Sequence, residues 1–243
     1  MKWSVRLPFC LFIEHWGRFG YCRAMLYIVS TPIGNLEDIT LRALRTLKEV
    51  DLIAAEDTRH TGILLHHFEI SKQLVSFHSY SDESKLNKII EVLRQGKNVA
   101  LVSDAGTPGI SDPGYLLIRR AIEEKIPITA IPGASALLPA LVTSGLPIDK
   151  FVYLGFLPLK KGRKTLLESF KQEERTLVFY ESPHRLHKTL SDLQIAGLGD
   201  FQLVLARELT KIYETVYRGT VSSLAQSFAN QKLKGEMVMM LHQ

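Results

Sequence analysis

The stretch Val99–Gly114, VALVSDAGTPGISDPG, decides how this chain is read. Four apolar residues, Val99, Ala100, Leu101 and Val102, form a run of the length expected of a buried strand. Small and turn-forming residues follow from Ser103 to Ser111, and Asp112-Pro113 predicts a helix start. A loop of this kind at the carboxyl end of a buried strand is where an open α/β sheet binds its ligand. Gly106 and Gly109 let backbone approach that ligand closely, and Asp104 and Asp112 bring carboxylates to its rim.

Working outward, apolar runs and helical stripes alternate along the chain. Up to Ser144 the spacing predicts strands over Leu26–Val29, Leu52–Ala55, Leu74–Phe77 and Ile126–Ile131. Between them it predicts helices over Thr40–Val50, Thr61–Phe68, Ser81–Gln95, Pro113–Glu124 and Ala134–Ser144. Gly145-Leu146-Pro147 interrupts the pattern and marks a domain boundary. Beyond it, strands are expected over Phe151–Phe156, Arg175–Tyr180, Phe201–Ala206, Ile212–Tyr217 and Met237–Leu241. Helices are expected after the basic turn Lys160–Lys164 and over Pro183–Leu193 and Val221–Asn230. The fold class is therefore α/β, with two lobes, residues 25–146 and 147–243. Each lobe is a mostly parallel or mixed sheet with flanking helices.

The chain has 243 residues, 46% hydrophobic and 23% charged, which is ordinary for a globular protein. No run approaches 18 apolar residues, so no transmembrane helix and no membrane partner is expected. Residues 1–24 differ from the rest. Both Trp and both Cys lie there, and Lys2, Arg6, Arg18 and Arg23 against Glu14 give +3 of the net charge of +5. Lys2 and Arg6 precede the apolar Leu7–Ile13 in the manner of a signal peptide, but Pro8 interrupts that run, Glu14-His15 stops it and no small-residue cleavage site follows. Residues 1–24 are read as a spurious or disordered extension, with the working protein beginning at Met25. The remaining 219 residues carry a net charge near +2 and no cysteine. A disulfide framework and a thiolate metal site are thereby excluded, and a reducing cytoplasm fits. Charge alone does not argue for nucleic acid.

The nucleotide-loop patterns G-x-G-x-x-G and G-x-x-x-x-G-K-[ST] are absent. Instead, three small-residue loops each follow a predicted strand and precede a helix: Thr31–Asn35, Ser103–Gly114 and Ile131–Ala136. One Pro-Gly turn is mere punctuation, but three on the carboxyl edge of a parallel sheet predict one ligand crevice. Ala55–Thr61, AEDTRHT, packs acids, Arg and His at another strand end, beyond what a helix cap at Asp57 or Thr58 needs. Glu181, His184 and His187 have neither the spacing nor the count of a metal site, and no metal is expected. His184 and Arg185 read as anion or phosphate contacts. Lys160, Lys161, Arg163 and Lys164 read as a solvated turn that becomes a phosphate contact if the substrate is RNA. Neither a Ser-His-Asp signature nor G-x-S-x-G is present.

Taken together, STPIGNLEDIT, AEDTRHT, SDAGTPGISDPG, IPGASA, ESPHR, ARELTKIYE and the closing GEMV resemble the tetrapyrrole-methylase superfamily of S-adenosylmethionine-dependent enzymes, from Met25 to the C-terminus. Tetrapyrrole enzymes carry a glycine-rich first loop where this chain has TPIGNLED. That difference favours the superfamily's rRNA branch, which methylates a cytidine ribose 2′-hydroxyl in 16S rRNA. The chain ends at Gln243, soon after GEMV, where some relatives continue into a small C-terminal extension.

The resemblance implies S-adenosyl-L-methionine bound in a cleft between the lobes. Its contacts carry over to Pro32, to Ala105, Gly106, Thr107 and Ile110, to Ser135 and Ala136, and to Tyr180 and Leu209. It also implies a homodimer that acts in the cytoplasm on 16S rRNA or the small ribosomal subunit. A ribose hydroxyl is a poor nucleophile while it keeps its proton; the candidate bases are Asp57, Glu56, Asp104 and Glu181, and the alternative is positioning alone, with the proton lost late to water. Asp57 is placed first because Arg59 could fix both it and a phosphate. RNA contacts are expected from Arg59, Lys160, Lys161, Arg163, Lys164, His184 and Arg185. Two alternatives stand beside this reading: a methylase of the same superfamily with a tetrapyrrole or other small substrate, and a non-catalytic RNA-binding module.

Overall fold

The runs LIAA and VALV have no polar face, so they are stable only when covered on both sides. In the computed structural model, which describes residues 24–78, 83–112 and 114–243, they lie inside a parallel sheet. Its strands β1 (Leu26–Val29), β2 (Leu52–Ala55), β3 (Leu74–Ser76), β4 (Val99–Val102) and β5 (Ile128–Ile131) are arranged β3-β2-β4-β1-β5. The register sets Val99 opposite both Leu26 and Leu52. Side chains alternate across the sheet, as the two-residue strand period requires. Leu26, Ile28, Leu52 and Leu101 pack on Ile89, Ile90 and Leu93 of α3 (Glu83–Arg94) and on Leu117 of α4 (Gly114–Glu123). Val29, Ile53, Ala100 and Val102 pack on Ala43 and Leu47 of α1 (Leu41–Glu49) and on Leu65 of α2 (Thr58–His67).

The second sheet is mixed. Strands β6 (Phe151–Phe156), β7 (Thr176–Glu181), β8 (Gln202–Arg207), β9 (Thr215–Thr220) and β10 (Met237–His242) run in the order β6-β7-β10-β8-β9. β6 and β7 are parallel, and β10 is antiparallel to both β7 and β8. One face carries Leu177, Phe179, Leu205 and Met239 against Leu167 of α6 (Arg163–Ser169), Leu190 of α7 (Leu186–Ile195) and Phe228 of α8 (Val221–Phe228). The opposite face, with Val178, Val204, Val238 and Met240, packs on Ala140 and Leu141 of α5 (Leu137–Ser144). Thus α5 follows the first sheet along the chain yet covers the second. Ile33, from the loop after β1, enters the same cluster and ties the lobes together.

Several boundaries differ from expectation: β5 starts at Ile128 rather than Ile126, α5 at Leu137 rather than Ala134 and α7 at Leu186 rather than Pro183, and two further shifts have clear local reasons. α2 begins at Thr58 rather than Thr61, because the Asp57 carboxylate caps it by accepting the Arg59 N–H at 2.8 Å. The strand expected from Ile212 begins at Thr215. The chain turns just before it through Glu208 (φ 53°) and Thr210 (φ 66°), leaving Ile212 exposed. The predicted helix starts at Ser81 and Pro113, and residues 1–23 of the expected extension, lie outside the described residues.

Candidate active site

Parallel strands bring all their carboxyl ends to one edge, so the segments after β1, β2, β4 and β5 share a rim. There the three small-residue loops are laced together. Thr31 and Gly106 exchange two backbone hydrogen bonds, at 2.9 and 3.0 Å. The Ser30 and Thr107 hydroxyls lie 2.9 Å apart, and the Thr31 hydroxyl donates to the Ser103 carbonyl at 3.1 Å. Gly106 has φ +83°, a conformation that a side chain would strain. Asp112 holds the end of the central loop, its carboxylate accepting the N–H groups of Gly109 and Gly114.

Facing this rim is the α5 side of the second sheet. Tyr180, Val238 and Ala206 are register neighbours across β7, β10 and β8, and they form one floor. Rim and floor enclose a cavity of ≈ 460 Å³. Ala105, Gly106, Thr107 and Ile110 line it from the central loop, Ser135 and Ala136 from the third loop, and Tyr180 and Leu209 from the second lobe. Pro32 is buried and does not line the cavity; Ile33 beside it does. Phe156 and Tyr153 pack edge-on against Tyr180, with ring centroids 5.6 and 5.4 Å away. Burial, with Tyr153 beside it, pushes the Tyr180 phenol well above its ordinary value, so that it stays protonated and uncharged.

The four base candidates fall into three different situations. Glu56, at the end of β2, lines the cavity, and so does Asp104. They are interlocked: the Asp104 N–H donates to Glu56 Oε2 at 3.3 Å, and the Asp57 N–H donates to Asp104 Oδ1 at 2.9 Å. Burial raises the Glu56 carboxyl above the usual carboxylate range, helped by the nearby charges of Asp104, Asp112 and Asp57 and opposed by the Asp104 N–H. Asp57 is turned away from the cavity. Its carboxylate caps α2 and is forked by Arg59, with Nη2 at 2.5 Å from Oδ2. That guanidinium holds its carboxyl far below the ordinary value, which makes it a weak proton acceptor. Of the two neighbours, Glu56 combines a place on the cavity wall with a raised proton affinity, and Asp57 has neither.

Glu181, at the end of β7, also lines the cavity. Its side chain is fully buried and each oxygen is engaged. Oε1 takes the Ser182 N–H at 2.8 Å and the Arg185 Nε at 3.1 Å, and Oε2 takes the Thr189 hydroxyl at 2.5 Å. Thr189 in turn accepts from Arg163 Nη2 at 2.8 Å. Arg163, read from sequence as a phosphate contact, is buried, with Nε on Asp192 at 2.7 Å and Nη1 on the Pro158 carbonyl at 3.1 Å. The Arg185 guanidinium is tied to Glu181 and to the Leu157 carbonyl. Arg163 is thus turned inward, while Arg185 keeps 22% of its side chain exposed; both tie down the segment that presents Ser182 and Pro183 to the cavity. Lys160, Lys161, Lys164 and His184 are exposed, as is Arg59. Among the described residues no group of three or more His, Cys, Asp or Glu is arranged to hold a metal. Nor is any helix among them long and apolar enough to cross a membrane.

Sequence reasoning missed Phe156, Ala206, Met237 and Val238 as lining residues. The available signals were the place of Phe156 at the end of a predicted strand and of Ala206, Met237 and Val238 inside the quoted segments ARELTKIYE and GEMV.

The two-sheet α/β fold is shared with solved methyltransferases. A cobalt precorrin-4 methyltransferase superposes with a TM-score of 0.67 at 18% identity, covering 90% of this chain and 94% of that one. A uroporphyrin-III C-methyltransferase from Thermus thermophilus, complexed with S-adenosyl homocysteine, superposes with a TM-score of 0.63 at 18% identity, covering 90% and 98%. Residues 25–225 match the tetrapyrrole (corrin/porphyrin) methylases, and the chain belongs to that family. Within it, the chain falls with the proteins named ribosomal RNA small subunit methyltransferase I. It is 50% identical to the one from Synechocystis sp. over 218 residues, covering 89% of this chain and 78% of the relative. It is 49% identical to the one from Thermotoga maritima over 216 residues, covering 89% and 97%.

Proposed function

We propose that this chain transfers a methyl group from S-adenosylmethionine to the ribose 2′-hydroxyl of a cytidine in 16S rRNA. Identity near 50% to rRNA small subunit methyltransferases supports the substrate class. The observation that carries the chemistry is Glu56, a carboxylate of raised proton affinity on the wall of the cleft.

The residues present fit S-adenosylmethionine. The cavity of ≈ 460 Å³ is of the size that takes a small ligand. Val238, Ala206 and Leu209 give an apolar floor for a flat base. Ser135 and Ala136 stand at the start of α5, which has no side-chain cap and so favours an anionic group such as a carboxylate. Ala105, Gly106, Thr107 and Ile110 provide close backbone approach, with Tyr180 opposite. When bound, S-adenosylmethionine supplies a methyl group already activated by its sulfonium. The protein then has to hold the ribose oxygen in line, about 3–3.5 Å from the carbon, and to receive a proton. Glu56 receives it, and Asp104 positions Glu56 through its own N–H. Lys160, Lys161, Lys164 and Arg59 meet RNA phosphates outside the cleft. The enzyme acts in the cytoplasm as a homodimer. The absence of cysteine after residue 24 supports the compartment, and the uncovered Leu138 and Val142, one turn apart on α5, support a second copy.

The full chain with radiolabelled S-adenosylmethionine tests this. Small ribosomal subunits lacking the modification and deproteinised rRNA are offered in parallel. Label at one cytidine 2′-oxygen is expected. Cofactor binding without labelled RNA would move the enzyme to small-molecule substrates, and no cofactor binding would leave an RNA-binding module.

A further inference from the structure

Strand β6 changes phase before it ends. Val152 and Leu154 face the helix-covered core of the second lobe, while Tyr153 faces the cleft side with Val178 and Tyr180. Unbroken alternation would send Phe156 to the helix side too. Instead, the three steps from Tyr153 to Phe156 on β6 match the two steps from Val178 to Tyr180 on β7. Gly155 absorbs the extra residue at φ +62°, where a side chain would be strained, and a Cβ there would lie 3.3 Å from Ser111 Oγ. This bulge sets Phe156 opposite Tyr180 on the cavity wall and returns Leu157 to the core. A large apolar ring that the helix side would have buried is thereby left 55% exposed.

The ring stands at one end of the cleft. β6 is an edge strand, three places from β8, so about 14 Å of sheet separates Phe156 from Ala206 in the apolar floor proposed for the cofactor's base. At the β8 end the first lobe brings Gly34, after β1, so close to Lys211 that a Cβ would fall 2.5 Å from Lys211 Cγ. At the β6 end it brings Ser111, after β4, whose hydroxyl shares a 2.6 Å hydrogen bond with the Tyr153 phenol. β2 lies next to β4, which puts Glu56 at the Phe156 end. Lys160 and Lys161 follow on the same chain, exposed and without an ion pair, no more than about 14 Å of extended backbone from Phe156.

We propose that Phe156 is the platform on which the base of the target nucleotide stacks, with the ribose toward Glu56 and the flanking phosphates toward Lys160 and Lys161. The inference rests on the RNA reading above and adds the residue that orients the nucleotide. A base that leaves its strand loses its stacking neighbours, and an aromatic side chain replaces them. Every base has a π-face, so the contact holds the nucleotide in place without reading its identity.

The test uses the full chain and the RNA form that wild type labels, carrying at the labelled position either cytidine or an abasic ribose, which keeps its 2′-hydroxyl. Wild type is compared with Phe156→Leu and with Phe156→Tyr, which keeps the ring. Cofactor affinity is measured by calorimetry and folding by thermal melting. Phe156→Leu is expected to lower kcat/KM on cytidine about tenfold or more, while Phe156→Tyr stays within about threefold of wild type. Removing the base costs wild type about tenfold or more and costs Phe156→Leu at least about fivefold less, because the base has already lost its platform there. Cofactor affinity stays within about twofold in both variants. An equal cost of base removal in wild type and Phe156→Leu overturns the proposal, as does an unchanged kcat/KM in folded Phe156→Leu. So does a tenfold loss of cofactor affinity, which would assign the ring to the cofactor. Wild type that labels no RNA overturns the RNA reading itself, and the platform with it.

Discussion

Thr189 sits fully buried on α7 with its hydroxyl between two ionised groups. It donates to Glu181 Oε2 at 2.5 Å and accepts from Arg163 Nη2 at 2.8 Å. Thr189→Val preserves the shape and removes both bonds. Glu181 would keep the Ser182 N–H and Arg185, while Arg163 would keep Asp192 and the Pro158 carbonyl. A hydrogen bond to a charged group contributes about 1.5–3 kcal/mol, and the surviving partners select the lower end. Two such losses give a destabilisation of about 3 kcal/mol. At this chain length each kcal/mol lowers Tm by about 2–4 °C, so a fall of about 6–12 °C is expected. Urea denaturation followed by circular dichroism gives the same quantity from the midpoint, provided the slope is unchanged. A loss under about 1 kcal/mol would refute the view that this network braces the cleft. Turnover measured well below both transitions is expected within threefold of wild type, since Glu181 keeps the Ser182 N–H and Arg185 and with them its place in the wall. A hundredfold loss in a folded variant would return Glu181 to the reacting groups.

Glu56→Gln is expected to lower kcat about 10²–10⁴-fold with little change in cofactor affinity, while Asp57→Asn keeps kcat within threefold; equal effects would remove the distinction drawn between them. A base works deprotonated, so wild-type kcat/KM should rise with pH through a value above the usual carboxylate range, and Glu56→Gln should abolish that limb. The folded state binds the Glu56 proton more tightly than the unfolded chain. Stability is therefore lost as pH rises through the raised value, and Glu56→Gln should show a higher urea midpoint than wild type at neutral pH. Gly106→Ala forces a side chain into φ +83° and should cost about 1–2 kcal/mol together with cofactor affinity; an unchanged affinity would show that the loop does not hold the cofactor. Replacing Lys160, Lys161 and Lys164 by Ala should make the salt dependence of RNA binding shallower by about two logarithmic units, and an unaltered slope would mean a merely solvated turn.

Much of the architecture was legible residue by residue. The bounds of β1, β2, β4 and β6 agree with the apolar runs to the residue; β4, for one, is closed by Asn98 on one side and Ser103 on the other. The three small-residue loops share a rim for a reason that sequence can state: parallel strands have all their carboxyl ends on one edge. Glu56 and Asp57 show where legibility stops. They are adjacent and chemically alike, and both lie just past the end of β2, where tertiary partners set the direction of each side chain. One therefore meets the cavity, while the other meets Arg59 at the start of a helix.

The amino-acid sequence by itself determined the α/β class, the alternation of strand and helix, the seven segments that identify the family and the loops that make the rim. Those are properties of local pattern and spacing. Only the tertiary structure decided that Tyr180, Val238 and Ala206 form one floor, because β10 inserts between β7 and β8 and sets their register. It alone turned Arg163 inward to Asp192 and Thr189, left Lys160, Lys161 and Lys164 outside, and placed α5 on the second sheet. Register between distant strands, and burial of one charge in a basic run, depend on partners tens to hundreds of residues away, which no local pattern contains.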